Sequence, residues 1–200
     1  VRRQRQMCIR DSKRARRIGR IFQDPMKGTA PHLTIEENLA LAYSRSKRGG
    51  LAPAITKSER VMFREALADF DMGLEDRMNT KVGLLSGGQR QVVTLLMATL
   101  VPPRLLLLDE HTAALDPATA EKVMGITKRI VERENLTTLM ITHNVKSALE
   151  TGDRTIMLDA GNIIFDIGKE ERIGMTVEDL MKKYSNKKHE EFDNDRAIFS

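Results

Sequence analysis

The length, composition and charge of this sequence are those of an ordinary globular chain. Its 200 residues, 40% hydrophobic and 30% charged, suffice for one well-buried domain with an inserted subdomain. The single cysteine excludes a disulfide framework, and no apolar stretch approaches the roughly 18 residues of a membrane span. The net charge of +5 comes from residues 1–20, which carry nine Lys or Arg against one Asp and leave −3 for the rest, so we predict no nucleic-acid partner.

The first twelve residues are predicted to be foreign to the fold. Met7–Ser12 has the sequence MCIRDS, which resembles the translation of a transposon end sequence used in preparing DNA sequencing libraries. We therefore interpret residues 1–12 as an assembly scar and exclude them; the alternative is a genuine basic arm. On the first interpretation the natural protein begins further upstream.

The segment that follows is mainly helical in pattern. RRIGRIFQ predicts a short strand that ends in a polar loop at Gln23. Thr34 and Thr56 are each followed three residues later by Glu, which predicts capping boxes at the starts of two helices containing IEENLALAY and RVMFREALADF. We therefore predict that residues 24–100 form a helical insertion.

From residue 101 strands alternate with helices. LLLLD predicts a strand buried on both faces, Asp116 predicts a helix cap before Pro117, and TTLMITH predicts the next strand. VKSALETG predicts a short helix, RTIMLDAGNIIFD predicts two strands around a Gly161-Asn162 turn, and Thr176 predicts the start of a last helix. The fold class is thus α/β with a mostly parallel sheet, in which residues 101–185 form the core and 186–200 a charged tail.

Side chains that can bind a metal ion or transfer a proton follow two of these strands. Asp109 and Glu110 lie at the carboxyl edge of the sheet, where α/β proteins bind ligands, and one carboxylate can hold Mg²⁺ while its neighbour polarises a water. The alternative is a strand that merely ends in acidic turn residues. His143 ends the next strand at the same edge, and its alternative is a structural histidine.

LLSGGQRQ, residues 84–91, is a second candidate site. Glycines let backbone N–H groups approach an anion, and a helix N-terminus adds positive potential. Taken alone, Ser86-Gly87-Gly88 could be a flexible helix start, and Gln23 could be solvated surface.

The order of the motifs resembles the ATP-binding subunits of ABC transporters. FQDP, LLSGGQRQ, LLLLDE, TAALD and ITH follow one another over about residues 13–185. The resemblance implies a P-loop NTPase-type fold that uses ATP and Mg²⁺ and hydrolyses ATP to drive transport. It also implies a second ATP-binding subunit, membrane permease subunits and, indirectly, a solute-binding protein as partners, at the cytoplasmic face of the cell membrane.

The resemblance assigns a role to each motif residue. The catalytic residues are Glu110 as general base, His143 as the switch histidine at the γ-phosphate and Gln23, which touches Mg²⁺ and the attacking water. Asp109 supports the metal.

The residues implied in contacting the nucleotide of a partner subunit form the signature motif. They are Ser86, Gly87, Gly88 and Gln89. Asp116 closes the loop that crosses the dimer interface.

The sequence departs from the family in two places. His111 stands where the family usually has proline, and we interpret it as a subgroup marker without a catalytic role. GxxxxGK[ST] is absent from the sequence, and the nearest imitation, from Gly161 to Lys169, has six residues between its glycines. The first strands and the P-loop are therefore predicted to be missing, and the chain as given is expected to bind ATP poorly.

Within the family the motifs are most similar to bacterial importer subunits, some of which serve amino-acid uptake. The alternative is a soluble ABC ATPase that acts on nucleic acid or the ribosome. Such proteins usually carry tandem cassettes or long coiled-coil insertions, whereas this chain has one cassette with an insertion of ordinary size. A fragment without function is a third alternative. The sequence determines neither the solute nor the direction of transport.

Overall fold

The structure, a computed structural model, describes residues 17–46 and 55–185, which belong to two compact units. The first unit ends at Ile141 and the second begins at Thr142. The predicted scar over residues 1–12 and the predicted charged tail over 186–200 lie outside the described residues.

A three-stranded parallel sheet forms the centre of the first unit. Its strands, in spatial order, are β1 (Ile18–Ile21), β2 (Leu105–Asp109) and β3 (Thr138–Ile141). In this register Ile21 pairs with Leu108, and Asp109 pairs with Ile141. The carboxyl ends of all three strands therefore meet at one edge of the sheet.

The two faces of this sheet are buried to different extents. Ile21, Leu106 and Leu108 are at most 2% exposed, whereas Leu139 and Ile141 on the other face are 53% and 56% exposed. The prediction that β2 is buried on both faces is therefore wrong: only alternate residues of β2 are fully buried, because its other face is partly open. The predicted strands themselves are confirmed.

Helices occupy the chain between β1 and β2. They are α1 (Ile35–Tyr43), α2 (Lys57–Ala68) and α3 (Gly87–Thr99), with 3₁₀ turns at Pro25–Gly28, Ser44–Ser46 and Val82–Leu84. Both predicted capping boxes are present, at Thr34 and Thr56. Each satisfies helix N–H groups that no intrahelical carbonyl can reach.

Two buried polar side chains fix this helical segment. Glu36, 8% exposed, accepts hydrogen bonds from Arg60 Nε at 2.7 Å and Nη2 at 2.9 Å, and so joins α2 to α1. Asn38 is fully buried; its Oδ1 accepts from Ala30 N at 2.8 Å while its Nδ2 donates to the carbonyls of Ala30 and Thr34. The chain between Gln23 and α1 is therefore held by fixed contacts.

α3 is the central helix of the first unit. Nine of its 13 residues are buried, and it packs against α1, β1 and the helix α4 (Pro117–Arg133). α4 starts at the predicted cap, with Asp116 accepting from Thr119 N and Pro117 at the first helical position. One hydrophobic cluster joins these elements, including Ile21, Leu39, Phe63, Val92, Leu95, Leu106, Val123 and Ile126.

The second unit contains a hairpin and short helices. Its elements are α5 (Val145–Glu150), β4 (Thr155–Asp159), β5 (Asn162–Ile167), α6 (Lys169–Arg172) and a helix α7 over 177–185. The pairing of β4 with β5 is antiparallel and separate from the parallel sheet. As predicted, Thr176 and Asp179 cap the last helix.

The turn of this hairpin lies one residue before the predicted position. Ala160 and Gly161 have φ values of +47° and +85°, whereas Asn162 already pairs with Asp159 in β5. A two-residue hairpin turn of this type requires positive φ at both central residues, and here Ala160 adopts it beside the glycine. The Gly161-Asn162 prediction is therefore wrong by one residue.

None of the helices in the described ranges has the length and apolar character needed to cross a membrane.

Candidate functional site

The ends of β1 and β2 bring three of the predicted site residues together. Gln23 follows β1 and Glu110 follows β2, and their side chains meet: Gln23 Nε2 donates to Glu110 Oε2 at 3.2 Å. An ionised carboxylate can only accept, so the amide nitrogen must face it and the amide oxygen faces elsewhere. Asp109 precedes Glu110 as the last residue of β2. The site therefore presents two carboxylates and one amide oxygen.

Asp109 has a cationic neighbour that the sequence analysis missed. Arg20 Nη2 lies 3.3 Å from Asp109 Oδ2, and the Arg20 guanidinium lies 4.5 Å from the centre of the Phe22 ring. The side chains of Arg20 and Asp109 are 54% and 40% exposed, so the ion pair contributes little to the stability of the fold. No local pattern predicts this pair, because its members are 89 residues apart and meet only through the pairing of β1 with β2.

The backbone of Glu110 is strained. Its φ is +45°, in the left-handed region that costs a residue other than glycine roughly 1–2 kcal/mol. Two hydrogen bonds hold this conformation: Glu110 N donates to Ile141 O at 3.0 Å, and Ala113 N donates to Glu110 O at 3.0 Å. Such conformations persist where the surroundings impose them, and they are concentrated at functional sites.

His111, the next residue, points into the core. It is 2% exposed, and its Nε2 lies 3.2 Å from Thr127 Oγ1 in α4. Burial lowers the pKa of His111 to about 4, because desolvation disfavours the charged imidazolium. The ring is therefore neutral near pH 7.

The signature motif forms the start of α3. Gln89 N donates to Ser86 Oγ at 3.3 Å, and Ser86 N donates to Gln89 Oε1 at 3.3 Å, which makes a third capping box. Ser86 and Gly87 are exposed, whereas Gly88 is buried. The exposed N-terminus of a 13-residue helix carries N–H groups and the positive end of the helix dipole, which suits an anion.

Arg90 fixes the turn that precedes this helix. Arg90 donates to the carbonyls of Val82, Gly83 and Leu85, at 3.3, 3.2 and 2.9 Å. The turn before Ser86 is thus fixed from within α3. The sequence does not predict this role of Arg90, because the bonds depend on the conformation of a turn with no distinctive pattern.

The start of α4 explains why glycine occupies position 88 and lies close to Gly87 as well. A Cβ at Gly88 would overlap the Cγ2 methyl of Thr119, and one at Gly87 would lie 3.3 Å from Leu115 Cδ2. Asp116 lies between these two contacts and accepts from Thr119 N at 3.0 Å. Hydrogen bonds from Thr119 lower the pKa of Asp116, so its carboxylate stays charged. The signature motif and Asp116 therefore share one surface.

His143 belongs to the second unit, where it precedes α5. Asn144 beside it caps that helix, since its Oδ1 accepts from Ser147 N at 3.0 Å. The structure thus groups Gln23 with Asp109 and Glu110, and Ser86–Gln89 with Asp116. Within the described ranges, no cluster of three or more His, Cys, Asp or Glu side chains could hold a metal by itself.

Comparison with known proteins identifies the family. The family model described as ABC transporter matches residues 2–113. The tyrosine transport ATP-binding protein of Clostridioides difficile is 42% identical over 176 residues, which make up 88% of this chain and 70% of that protein. The chain belongs to the ABC transporter ATP-binding family.

Further relatives agree with this assignment. The methionine import ATP-binding protein MetN of Rhizobium johnstonii is 40% identical to this chain over 149 residues, which make up 74% of this chain and 38% of that protein. A solved dimeric ATP-binding cassette in a post-hydrolysis state, bound to ADP and Pi, has a TM-score of 0.66 and 31% identity over 80% of this chain and 66% of that one. The ABC chain therefore spans 70%, 38% and 66% of the lengths of these three relatives.

These matches confirm the predicted family and its P-loop NTPase-type α/β fold. ATP-binding subunits of this family are ATPases coupled to transport, so the predicted enzyme class is confirmed at the level of the family. The roles of individual residues in the ABC chain stay predictions.

Proposed function

We propose that this chain is part of an ATP-binding subunit that hydrolyses ATP to drive solute import through a membrane permease. The observation that carries the proposal is the contact between Gln23 and Glu110 beside Asp109, at the carboxyl edge of the parallel sheet. Phosphoryl transfer needs a positioned water and neutralised charge more than covalent chemistry. These side chains can supply both.

In the proposed reaction each side chain has a defined role. Glu110 accepts the proton of the attacking water, Gln23 holds that water through its amide, and His143 donates a hydrogen bond to the γ-phosphate. The strained turn at Glu110 and the bond from Gln23 fix the base before the substrate arrives.

The donor set fits Mg²⁺. Asp109 and the Gln23 amide offer hard oxygen ligands, and Mg²⁺ is commonly held by one or two carboxylates with substrate phosphates and water completing its shell. When bound, the metal supplies charge neutralisation at the phosphates. Asp109 would hold it, with Gln23 beside it.

We further propose that the complete site forms between two copies arranged head to tail. Ser86, Gly87, Gly88 and Gln89 of one copy would face the ATP of the other, and Asp116 would lie at the interface. The exposed N-terminus of α3 supports this, since its N–H groups and its dipole favour an anion. The solved relative described above is likewise a dimer.

The phosphate-binding loop is proposed to lie outside these 200 residues. The sequence contains no GxxxxGK[ST], the motif whose backbone amides and lysine hold the phosphates. Hydrolysis is therefore a property that we propose for the full-length protein.

The proposed cargo is an amino acid. The relatives from Clostridioides and Rhizobium are named for tyrosine transport and methionine import. The proposed partners are permease subunits and, through them, a solute-binding protein, with the ATP-binding subunit at the cytoplasmic face of the membrane. Uptake of labelled tyrosine and methionine by cells with and without the gene tests the cargo; unchanged uptake of both would refute an amino-acid assignment.

Hydrolysis is tested with Glu110→Gln in the full-length protein. Removing a general base costs about 10²- to 10⁴-fold in rate, so hydrolysis should fall by that factor while ATP binding is retained. Glu121→Gln, an exposed change in α4, is the matched control and should leave the rate unchanged. If Glu110→Gln hydrolyses ATP at the unaltered rate, Glu110 is not the base and the proposed site is wrong.

A further inference from the structure

One buried polar contact behind the site has no role in the proposed reaction. His111 and Thr127 are 2% and 3% exposed, and His111 Nε2 lies 3.2 Å from Thr127 Oγ1. The contact joins the turn after β2 to the middle of α4.

The direction of this hydrogen bond follows from its neighbour. Thr127 Oγ1 donates to Val123 O at 2.8 Å, and a hydroxyl has one hydrogen to give. When the Thr127 hydroxyl donates to Val123 O, its Oγ1 accepts from His111, and the proton of the neutral ring is assigned to Nε2. The hydrogen bond to Thr127 thus connects the turn that contains His111 to α4.

The anchored residue is next to the strained one. Glu110 has φ +45°, and its backbone is tied to β3 on one side and to Ala113 on the other. The Glu110 carboxylate meets Gln23, while the next side chain along the chain enters the core. A turn held at both faces can keep a conformation that the residue would not choose by itself.

We propose that His111 is a positioning residue for Glu110: by anchoring the turn to α4 through Thr127, it holds Glu110 in the left-handed conformation in which its carboxylate meets Gln23. The functional meaning of this inference rests on the proposed role of Glu110 as the general base.

Amide hydrogen exchange on the chain without nucleotide tests the anchor directly. Thr127→Val removes the acceptor and keeps the shape, and His111→Phe removes the donor and keeps a ring. Loss of one buried hydrogen bond should speed exchange at the amides of Glu110 and Ala113 by roughly tenfold relative to core amides of α3. His111→Gln, which restores an N–H donor, should recover most of the protection.

Two controls separate positioning from core filling. Thr99→Val removes a hydroxyl that is also buried and donates to Leu95 O at 2.8 Å, and it should leave exchange at Glu110 unchanged relative to the core. Thr127→Ser keeps the acceptor, loses only a methyl group and should keep the protection. Because both changed groups act through one bond, His111→Phe combined with Thr127→Val should exchange no faster than either alone.

The proposal is overturned if exchange at Glu110 rises in Thr127→Val and His111→Phe only as much as in the α3 core, because His111 would then merely fill space. These measurements need no ATP, so they stand apart from the hydrolysis test of Glu110→Gln.

Discussion

Arg20 gives the acidic edge of the sheet a counter-charge of its own. It pairs with Asp109, the proposed metal ligand, so a cation that binds Asp109 must compete with the guanidinium. Since both side chains are well exposed, the competition is weak, on the order of 1 kcal/mol or less.

Removal of this charge should therefore strengthen metal binding. We expect Arg20→Gln to raise the affinity for Mn²⁺, used as a spectroscopic probe for Mg²⁺, by up to about fivefold. Electron paramagnetic resonance of free Mn²⁺ measures the change. Arg129→Gln removes an exposed charge from α4 and should leave the affinity for Mn²⁺ unchanged. If both variants change this affinity equally, the effect comes from net charge and not from the contact with Asp109.

The buried His111 makes stability depend on pH. Its pKa is about 4 in the folded chain against 6.5 when exposed, so between these values the unfolded state binds more protons. The contribution of the neutral His111 to the free energy of unfolding is therefore fully present above pH 6.5. It is lost as the pH drops toward 4, by up to about 3 kcal/mol.

Urea denaturation between pH 4 and 8 measures this dependence. The unaltered chain should lose more stability on acidification than His111→Gln, which cannot titrate. Identical pH profiles for the two chains would contradict a buried, neutral histidine at this position.

At the scale of elements, the packing of α3 on α4 determines which residues can follow Ser86. A Cβ at Gly88 would overlap the Thr119 methyl, so we expect Gly88→Ala to destabilise the chain by about 1–3 kcal/mol. Thr119→Ser, which removes that methyl and keeps the hydroxyl, should recover most of the loss in the double variant. Urea denaturation measures all three.

Gly125→Ala is the matched control. Gly125 also lies in a helix, but a Cβ there would have no neighbour within 4 Å. Because alanine is the better helix former by about 1 kcal/mol, this change should be neutral or stabilising. Equal losses at Gly88 and Gly125 would exclude steric overlap as the cause.

The exposed N-terminus of α3 carries the prediction for the dimer. In the full-length protein, Ser86→Arg should abolish hydrolysis that depends on dimerisation, because a long side chain would fill the space of the partner's phosphate, while ATP binding by the altered copy is kept. Ser58→Arg, at an exposed position of α2, is the control. Hydrolysis at the normal rate in Ser86→Arg would argue against the head-to-tail site.

Elements whose signals are local could be predicted from the sequence. The caps at Thr34, Thr56 and Asp116 need only residues within one helical turn, and the strand LLLLD needs only its own apolar run. The hairpin turn is a local feature too, but Ala160 takes a conformation that sequence patterns assign to glycine or asparagine.

Contacts between distant segments could not be predicted in this way. The pairing of Gln23 with Glu110 was expected only because a family resemblance joined them. The anchor of His111 on Thr127 and the pair of Arg20 with Asp109 have no such guide, since each depends on how packed elements meet. The sequence therefore predicted that Gln23 and Glu110 belong together and did not predict the contacts of Arg20 and His111.

At the scale of the molecule, the sequence contains Asp109 and Glu110, the proposed acidic part of a phosphate site, but no GxxxxGK[ST]. Asp109 and Glu110 alone repel a polyphosphate, while Arg20 offsets one charge at most. The family match makes nucleotide binding the property to test, and the missing GxxxxGK[ST] predicts a weak result.

We expect titration calorimetry of this chain with ATP and Mg²⁺ to show no saturable binding at micromolar concentrations. Residues 1–20 carry a net charge of +8 and can attract any polyphosphate, so tripolyphosphate is the necessary control. If tripolyphosphate gives the same heat of binding and added salt suppresses it, the signal reports charge attraction alone. Micromolar binding of ATP that tripolyphosphate does not reproduce would mean that the described residues already form a nucleotide site, and the division of that site between this chain and another segment would then be wrong.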